Sequence, residues 1–223
     1  WCIGDNSAAA QGKTPLKKGK TPAVQKPVLK QGPSGKISEY SSENFLVHTD
    51  LSTDDVHEIM DRLERMLELV SKYYGQPNER VIEMNIVDKA GQWPEGAIPA
   101  EAIEFVRRRA GVTIGASRLE TDEFGQRRTT SVKAIVWAAP ERGVPQHEAV
   151  HAYCHQTFGT SGPPWYAEGM AEVGKYWSEE FGGVNADDGV IRYLKSVKPR
   201  GVKEIVSNRE SKGENWQTYA WRW

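Results

Sequence analysis

The chain has 223 residues, with 29 Lys and Arg against 30 Asp and Glu, so its formal charge is close to zero. This balance disfavours a purely electrostatic role on nucleic acid or on a membrane surface. No stretch approaches the ~20 consecutive apolar residues that span a bilayer, so we expect no transmembrane segment in the sequence.

Residues 1–36 are predicted to form an extended or linker-like N-terminal arm. From Gly4 onward the segment is rich in Lys, Pro, Gly, Thr and Gln and follows neither a helical nor a strand period. We interpret it as a solvated tether to a membrane anchor or another module, and Trp1 as a processing site or an artificial boundary. Residues 37–223 then form one folded domain.

The two cysteines, Cys2 and Cys154, fit no metal-binding spacing. A disulfide between them requires an oxidising compartment, and two free thiols fit the sequence equally well. Both alternatives stay open at this point.

The folded region begins with a predicted strand at 44–48, followed by the strongest helix pattern in the chain. Ser52 and Asp55 can form a capping box at the start of this helix, and Gly75 and Pro77 end it. Seven apolar residues recur at helical spacing and predict a buried face: Val56, Ile59, Met60, Leu63, Met66, Leu67 and Val70.

The middle of the chain is predicted to supply most of a small sheet. The alternation in 81–87 indicates a half-buried strand, and a short helix is expected from Pro99 to about residue 109. Two strand patterns at 112–118 and 131–137, separated by a polar turn, predict a β-hairpin.

The last third is predicted to be helical. One helix covers 144–158 and ends at Gly159, a second covers 165–177, and a weaker one covers 188–197. The closing segment ENWQTYAWRW is typical of the start of a helix, and we expect the domain to be truncated there.

The segment HEAVH contains the candidate catalytic residues His147, Glu148 and His151. Residues four apart in a helix lie on one face, ~5.4 Å apart along the axis, so both imidazoles can reach one metal ion. Glu148 is adjacent to that face, where its carboxylate can accept a proton from a metal-activated water.

A second segment, WYAEGMAE, supplies two carboxylates one helical turn apart, Glu168 and Glu172. A catalytic zinc needs one more protein ligand and an open position for water, and Glu168 fits the ligand position. Glu172 can accept the other ring N–H of a ligating histidine and so fix its tautomer.

These two segments resemble the gluzincin clan of zinc metallopeptidases, and most closely the bacterial peptidase MA-like domains. The resemblance implies that His147, His151 and Glu168 bind Zn²⁺, that Glu148 is the general base and that Glu172 is a supporting acidic residue. It also implies an α+β, zincin-like fold, in which a small mixed β-sheet accompanies an active-site helix and a following glutamate helix. It does not cover the N-terminal arm.

His155 is an alternative third ligand that the spacing disfavours, because eight helical residues place it ~12 Å along the axis from His147. His48 and His57 lie outside any ligand spacing.

Two further elements are expected for peptide hydrolysis. In the gluzincin fold an edge strand binds the substrate backbone, and 131–137 is the candidate because it is the last strand before the active helix. A donor must also stabilise the oxyanion. The resemblance points loosely to Tyr219, and Tyr153, Tyr166 and Tyr176 are further candidates.

The predicted function is zinc-dependent hydrolysis of a peptide or protein substrate, with no nucleic-acid partner. The alternative is a zincin-fold scaffold or cell-envelope binding module that holds zinc with little or no turnover. The tether-like arm and the usual location of members of the resembled family favour a bacterial, extracytoplasmic location, whether periplasmic, secreted or envelope-tethered.

Overall fold

The computed structural model describes residues 30–31, 37–121, 123, 125–141, 143–178, 183–186, 188–207 and 220–221. The predictions made for Cys2, for Tyr219 and for most of the N-terminal arm therefore fall outside the described residues. Within these ranges, none of the helices combines the length and the apolar character needed to cross a membrane.

Strands and helices are mixed along the described chain. The strands are β1 Lys30–Gln31, β2 Ser38–Ser41, β3 Phe45–Thr49, β4 Ile82–Ile86, β5 Gly111–Thr121, β6 Arg127–Ala138, β7 Trp177–Ser178 and β8 Gly183–Val184. The helices are α1 Thr53–Tyr74, α2 Ala100–Arg107, α3 Val144–Phe158, α4 Pro164–Lys175, α5 Asp188–Ser196 and α6 Val202–Ser207, and Ala90–Gln92 forms a 3₁₀ turn.

The helices predicted between residues 52 and 197 and the predicted hairpin are confirmed, and the hairpin strands are longer than expected. The closing segment, predicted to start a helix, lies outside the described residues except for 220–221, which form a turn. The sequence patterns did not predict the short strands β1, β2, β7 and β8, or helix α6. Each of these elements has only two to six residues, too few to establish a hydrophobic period.

The six-stranded sheet is mixed, with the strand order β1-β2-β3-β4-β6-β5. β3, β4 and β6 run parallel to one another, and the remaining pairs are antiparallel. Helix α1 forms the crossover between the parallel strands β3 and β4, as such a connection requires. A mixed sheet with helices is compatible with the predicted α+β class.

One face of the sheet carries the main core. The buried stripe of α1 packs there against strand residues such as Phe45, Met84 and Val136 and against the inner side of α3. Ser52 caps α1 by accepting a hydrogen bond from Asp55 N, and Gly75 ends the helix with a φ of 67°. Each fully buried aliphatic side chain contributes ~1.5–3 kcal/mol.

The opposite face carries a smaller core around Trp137. This side chain packs with Val87, with Ala102 and Val106 of α2, and with Trp93, whose ring centroid lies 5.7 Å away. Because successive strand residues alternate between the faces, β6 contributes Val136 to the main core and Trp137 to the smaller one.

Helices α3 and α4 pack closely at Gly174. A Cβ atom at this position would lie 2.5 Å from Val150 Cγ2 and 3.3 Å from Met66 Sδ. The buried Gln146 side chain donates a hydrogen bond of 2.9 Å from Nε2 to the Gly174 carbonyl oxygen. The absence of a side chain at residue 174 therefore sets the distance between the two helices.

We expect Gly174→Ala to lower the free energy of unfolding by about 1–2 kcal/mol. The added methyl group overpacks the helix contact and outweighs the helix-propensity gain of ~1 kcal/mol. Chemical denaturation monitored by circular dichroism measures the change. Gly91→Ala is the matched control, because a Cβ there meets nothing within 4 Å. Equal stability of the two variants would contradict the packing argument.

Candidate metal centre

The centre is built on the first two turns of α3. Gly143 precedes the helix with a φ of 88°, and its carbonyl oxygen accepts the N–H of His147. This left-handed conformation favours glycine. A Cβ at Gly143 would also lie 2.6 Å from Lys175 Cγ, so the start of α3 lies directly against the end of α4.

Helix α4 brings Glu168 to the two histidines. The Nε2 atoms of His147 and His151 are 3.2 Å apart, and Glu168 Oε2 lies 3.4 Å from the first and 3.7 Å from the second. All three side chains are largely buried, with 13–15% of their surface exposed. The three residues form a group that can hold a metal ion.

The spacing of these atoms fits a tetrahedral metal site. Ligand atoms at ~2.0–2.1 Å from a tetrahedral ion lie roughly 3.3–3.4 Å from one another. The three observed separations of 3.2, 3.4 and 3.7 Å are close to that value. Two imidazole nitrogens and one carboxylate oxygen are a common donor set of catalytic zinc sites, which keep a fourth position open.

Glu172 and Lys175 support the centre from the side away from the ligand atoms. Glu172 Oε1 lies 3.0 Å from His147 Nδ1, and both carboxylate oxygens of Glu172 lie 3.2 Å from Lys175 Nζ. An Nδ1–H donated to Glu172 leaves the lone pair of His147 Nε2 directed at the centre. This placement is the one that the helical spacing of Glu168 and Glu172 predicts.

The buried carboxylates control the charge of His147. Burial by itself lowers the pKa of His147, but contacts with Glu168 and Glu172 outweigh it and raise the pKa to about 10. Burial likewise works to raise the pKa of both carboxyls, but the histidine contacts hold each pKa below its usual range. Without a metal ion, His147 is therefore a cation that neutralises buried negative charge.

The candidate base Glu148 lies between α3 and strand β5. The residue is buried, with 7% of its surface exposed. Thr113 Oγ1 lies 2.8 Å from Glu148 Oε2 and 3.0 Å from the carbonyl oxygen of Glu148. On the same strand, a Cβ at Gly111 would lie 2.5 Å from Glu148 Cγ.

The edge strand beside α3 is β5, so the prediction that 131–137 is the edge strand is wrong. Residues Ile135–Ala138 pair with β4 on one side and with β5 on the other. Within the described part of the chain, β5 pairs with β6 alone. The hairpin folds back so that its first strand lies outermost, an order that follows from the parallel pairing of β6 with β4.

The other histidines take no part in the ligand group. His155 lies one turn beyond His151, where burial and the proximity of His151 lower its pKa. His48 Nδ1 is 3.8 Å from Glu39 Oε2 on the sheet, and the His57 ring packs edge-on against Tyr40. The prediction that His155, His48 and His57 are not ligands agrees with these positions.

Two of the tyrosines considered as oxyanion donors are engaged elsewhere. The Tyr153 hydroxyl donates a 2.6 Å hydrogen bond to the carbonyl oxygen of Gln76, and the Tyr166 side chain interacts with Tyr73 and Tyr74. The Lys175 Nζ lies over the Tyr176 ring, 5.1 Å from its centroid. Tyr219 lies outside the described residues, so its role stays a prediction.

Cys154 is buried in the main core, and its Sγ lies 3.8 Å from the Tyr74 hydroxyl oxygen. Because Cys2 lies outside the described residues, the disulfide hypothesis stays untested.

Sequence reasoning missed several residues that hold the centre in place: Gly111, Thr113, Gln146, Gly174 and Lys175. Lys175 follows Glu172 at helical spacing, so a search for charge pairs would have found it. No sequence signal marks Thr113 or Gly111, because their contacts with Glu148 join elements more than 30 residues apart.

Comparisons with known proteins find that no family model, curated protein or solved structure matches the chain. The zincin-like fold, the gluzincin relationship and the hydrolase activity therefore remain predictions that depend on the residues of the centre.

We expect His151→Ala to lose the metal ion and His155→Ala to keep it. Both changes truncate a histidine on α3, but only His151 places a nitrogen near Glu168. Elemental analysis after zinc loading and dialysis measures the metal content per chain. A loss of metal in the His155 variant that equals the loss in the His151 variant would contradict the assignment.

We expect metal binding to release about one proton per ion at pH 7, and the apparent affinity to rise with pH until about pH 10. The pKa of His147 is raised to about 10, so below that pH a metal ion must displace its proton. Calorimetric titration in two buffers with different ionisation enthalpies counts the protons.

Glu172→Gln provides the matched control for the proton count. The change removes one of the carboxylates that raise the pKa of His147, so fewer protons are released and the pH dependence is weaker. A wild-type count near zero would show that His147 is not protonated before the metal ion binds.

Proposed function

We propose that the protein is a zinc-dependent peptide hydrolase of the gluzincin type, with a zincin-like fold. The observation that carries the proposal is the convergence of His147 Nε2, His151 Nε2 and Glu168 Oε2 at tetrahedral spacing beside the buried carboxylate of Glu148. The donor set favours zinc over calcium and magnesium, which prefer oxygen ligands.

When bound, zinc polarises the scissile carbonyl and lowers the pKa of the attacking water. Glu148 takes the proton of that water and then gives it to the leaving amine. We assign this proton to Oε1, because Thr113 already engages Oε2 at 2.8 Å. Glu172 keeps the Nδ1 proton of His147 in place, so the ring presents its Nε2 lone pair to the ion.

The candidate substrate-binding element is the edge strand β5. Its 111–115 segment lies against α3, and its outer backbone edge faces away from β6. An extended peptide can add to such an edge through backbone hydrogen bonds, which bind many sequences because they involve no side chains. We therefore propose peptides in an extended conformation as the substrate class.

We expect Glu148→Gln to keep the zinc ion and to lose about 10²- to 10⁴-fold in kcat. Glutamine has nearly the same shape but cannot accept the proton. Digestion of a diverse peptide library, read by mass spectrometry, measures cleavage, and elemental analysis measures zinc. Glu104→Gln, an exposed carboxylate on α2, is the control and is expected to cleave like the wild type.

Three outcomes separate the alternatives. Cleavage by the Glu148→Gln variant at the wild-type rate would refute the proposed mechanism. Bound zinc with no cleavage by the wild type would favour a zinc-holding scaffold or envelope-binding module. If the wild-type protein takes up no zinc, the HEAVH match is accidental and the residues do not form a zinc site.

A further inference from the structure

We propose that strand β5 positions the base: the Thr113 hydroxyl holds the Glu148 carboxylate, and Gly111 leaves the space that this side chain occupies. Thr113 is a positioning residue in this proposal, since it acts through Glu148 and not on the substrate. The kinetic consequence depends on the proposed hydrolase function, whereas the structural consequence does not.

The Thr113 contact is suited to holding one conformation of Glu148. Its hydroxyl has one hydrogen and two nearby acceptors on the same residue, Glu148 Oε2 at 2.8 Å and Glu148 O at 3.0 Å. A hydrogen bond to a carboxylate is stronger than one to a neutral carbonyl, so Oε2 is the favoured acceptor. The bond therefore restrains the side chain and not only the backbone of α3.

Gly111 acts on the same side chain from two residues away. Gly111 pairs with Ala138 and Thr113 pairs with Val136, so both residues lie on the face of the sheet that packs against α3. A Cβ at residue 111 would lie 2.5 Å from Glu148 Cγ and 3.0 Å from Cδ and Oε1. Pairing with β6 keeps the strand in place, so a side chain at 111 would displace the carboxylate.

The position of β5 links substrate binding to the base. The strand that holds Glu148 on its inner face is the edge strand that we propose for the substrate. A peptide paired along 111–115 would therefore lie at a fixed distance from the carboxylate that acts on it. A misplacement of ~1 Å of a reacting group can cost ~10²-fold in rate.

Three variants of β5 test whether Thr113 positions Glu148 or has only a structural role. Thr113→Val removes the hydroxyl at nearly constant volume, Thr113→Ser keeps it, and Thr121→Val is the control at the exposed end of the same strand. We expect Thr113→Val to lower kcat about 10- to 100-fold, with KM and zinc content close to the wild-type values. Thr113→Ser should restore most of kcat.

Crystal structures of the metal-free variants provide a readout that needs no activity. We expect the Glu148 carboxylate to shift by about 1 Å or more in Thr113→Val and in Gly111→Ala, and to keep its place in Thr113→Ser and Thr121→Val. An unchanged Glu148 position in Thr113→Val would overturn the proposal. So would a kcat that falls equally in the Ser and Val variants, or a loss confined to KM.

The two proposals can fail separately. If no variant and no wild-type protein cleaves peptides, the hydrolase proposal fails, and the Glu148 position in the crystal structures still decides the positioning role. If the wild type cleaves and Thr113→Val cleaves equally well, the positioning proposal fails and the hydrolase proposal stands.

Discussion

The close contact between α3 and α4 is the constraint on which the candidate centre depends. Glu168 can approach both histidines only if the two helices lie near enough and are rotated correctly. Gly174 against Val150 sets the distance, and the hydrogen bond from Gln146 to the Gly174 carbonyl opposes sliding of one helix along the other. Because interiors are densely packed and resist compression, such contacts keep the two helices in one arrangement.

The charges of the centre follow from its burial. Two carboxylates in a poorly solvated site need compensating positive charge, since an isolated buried ion costs several kcal/mol. Protonated His147 and Lys175 supply that charge in the metal-free protein. A divalent ion bound by these residues would replace the His147 proton, so its binding would depend on pH. Metal affinity would then be coupled to the protonation of the His147 imidazole.

Strand β5 connects the sheet to the chemistry of the centre. Among the described residues its outer edge pairs with no other strand, while Gly111 and Thr113 on its inner face lie close to Glu148. The smaller core around Trp137 packs against the hairpin on the face of the sheet opposite Glu148. Strand β5 packs against both α2 and α3. A strand held in this way could keep a constant distance between a bound peptide backbone and the candidate base Glu148, whereas a loop would hold it less precisely.

The sequence by itself determined the local features of this protein. Helical spacing places His147 with His151, and Glu168 with Glu172, because residues four apart always share a helix face. The N-cap Ser52 and the glycines after α1 and α3 likewise set helix ends through short-range hydrogen bonds and backbone conformation. Only the tertiary structure decided which strand is outermost, which residues hold Glu148 and where α4 meets α3. These depend on contacts between distant segments. Local periodicity carries no information about the order of strands in a sheet, or about which glycine, such as Gly174, lies at a helix–helix contact.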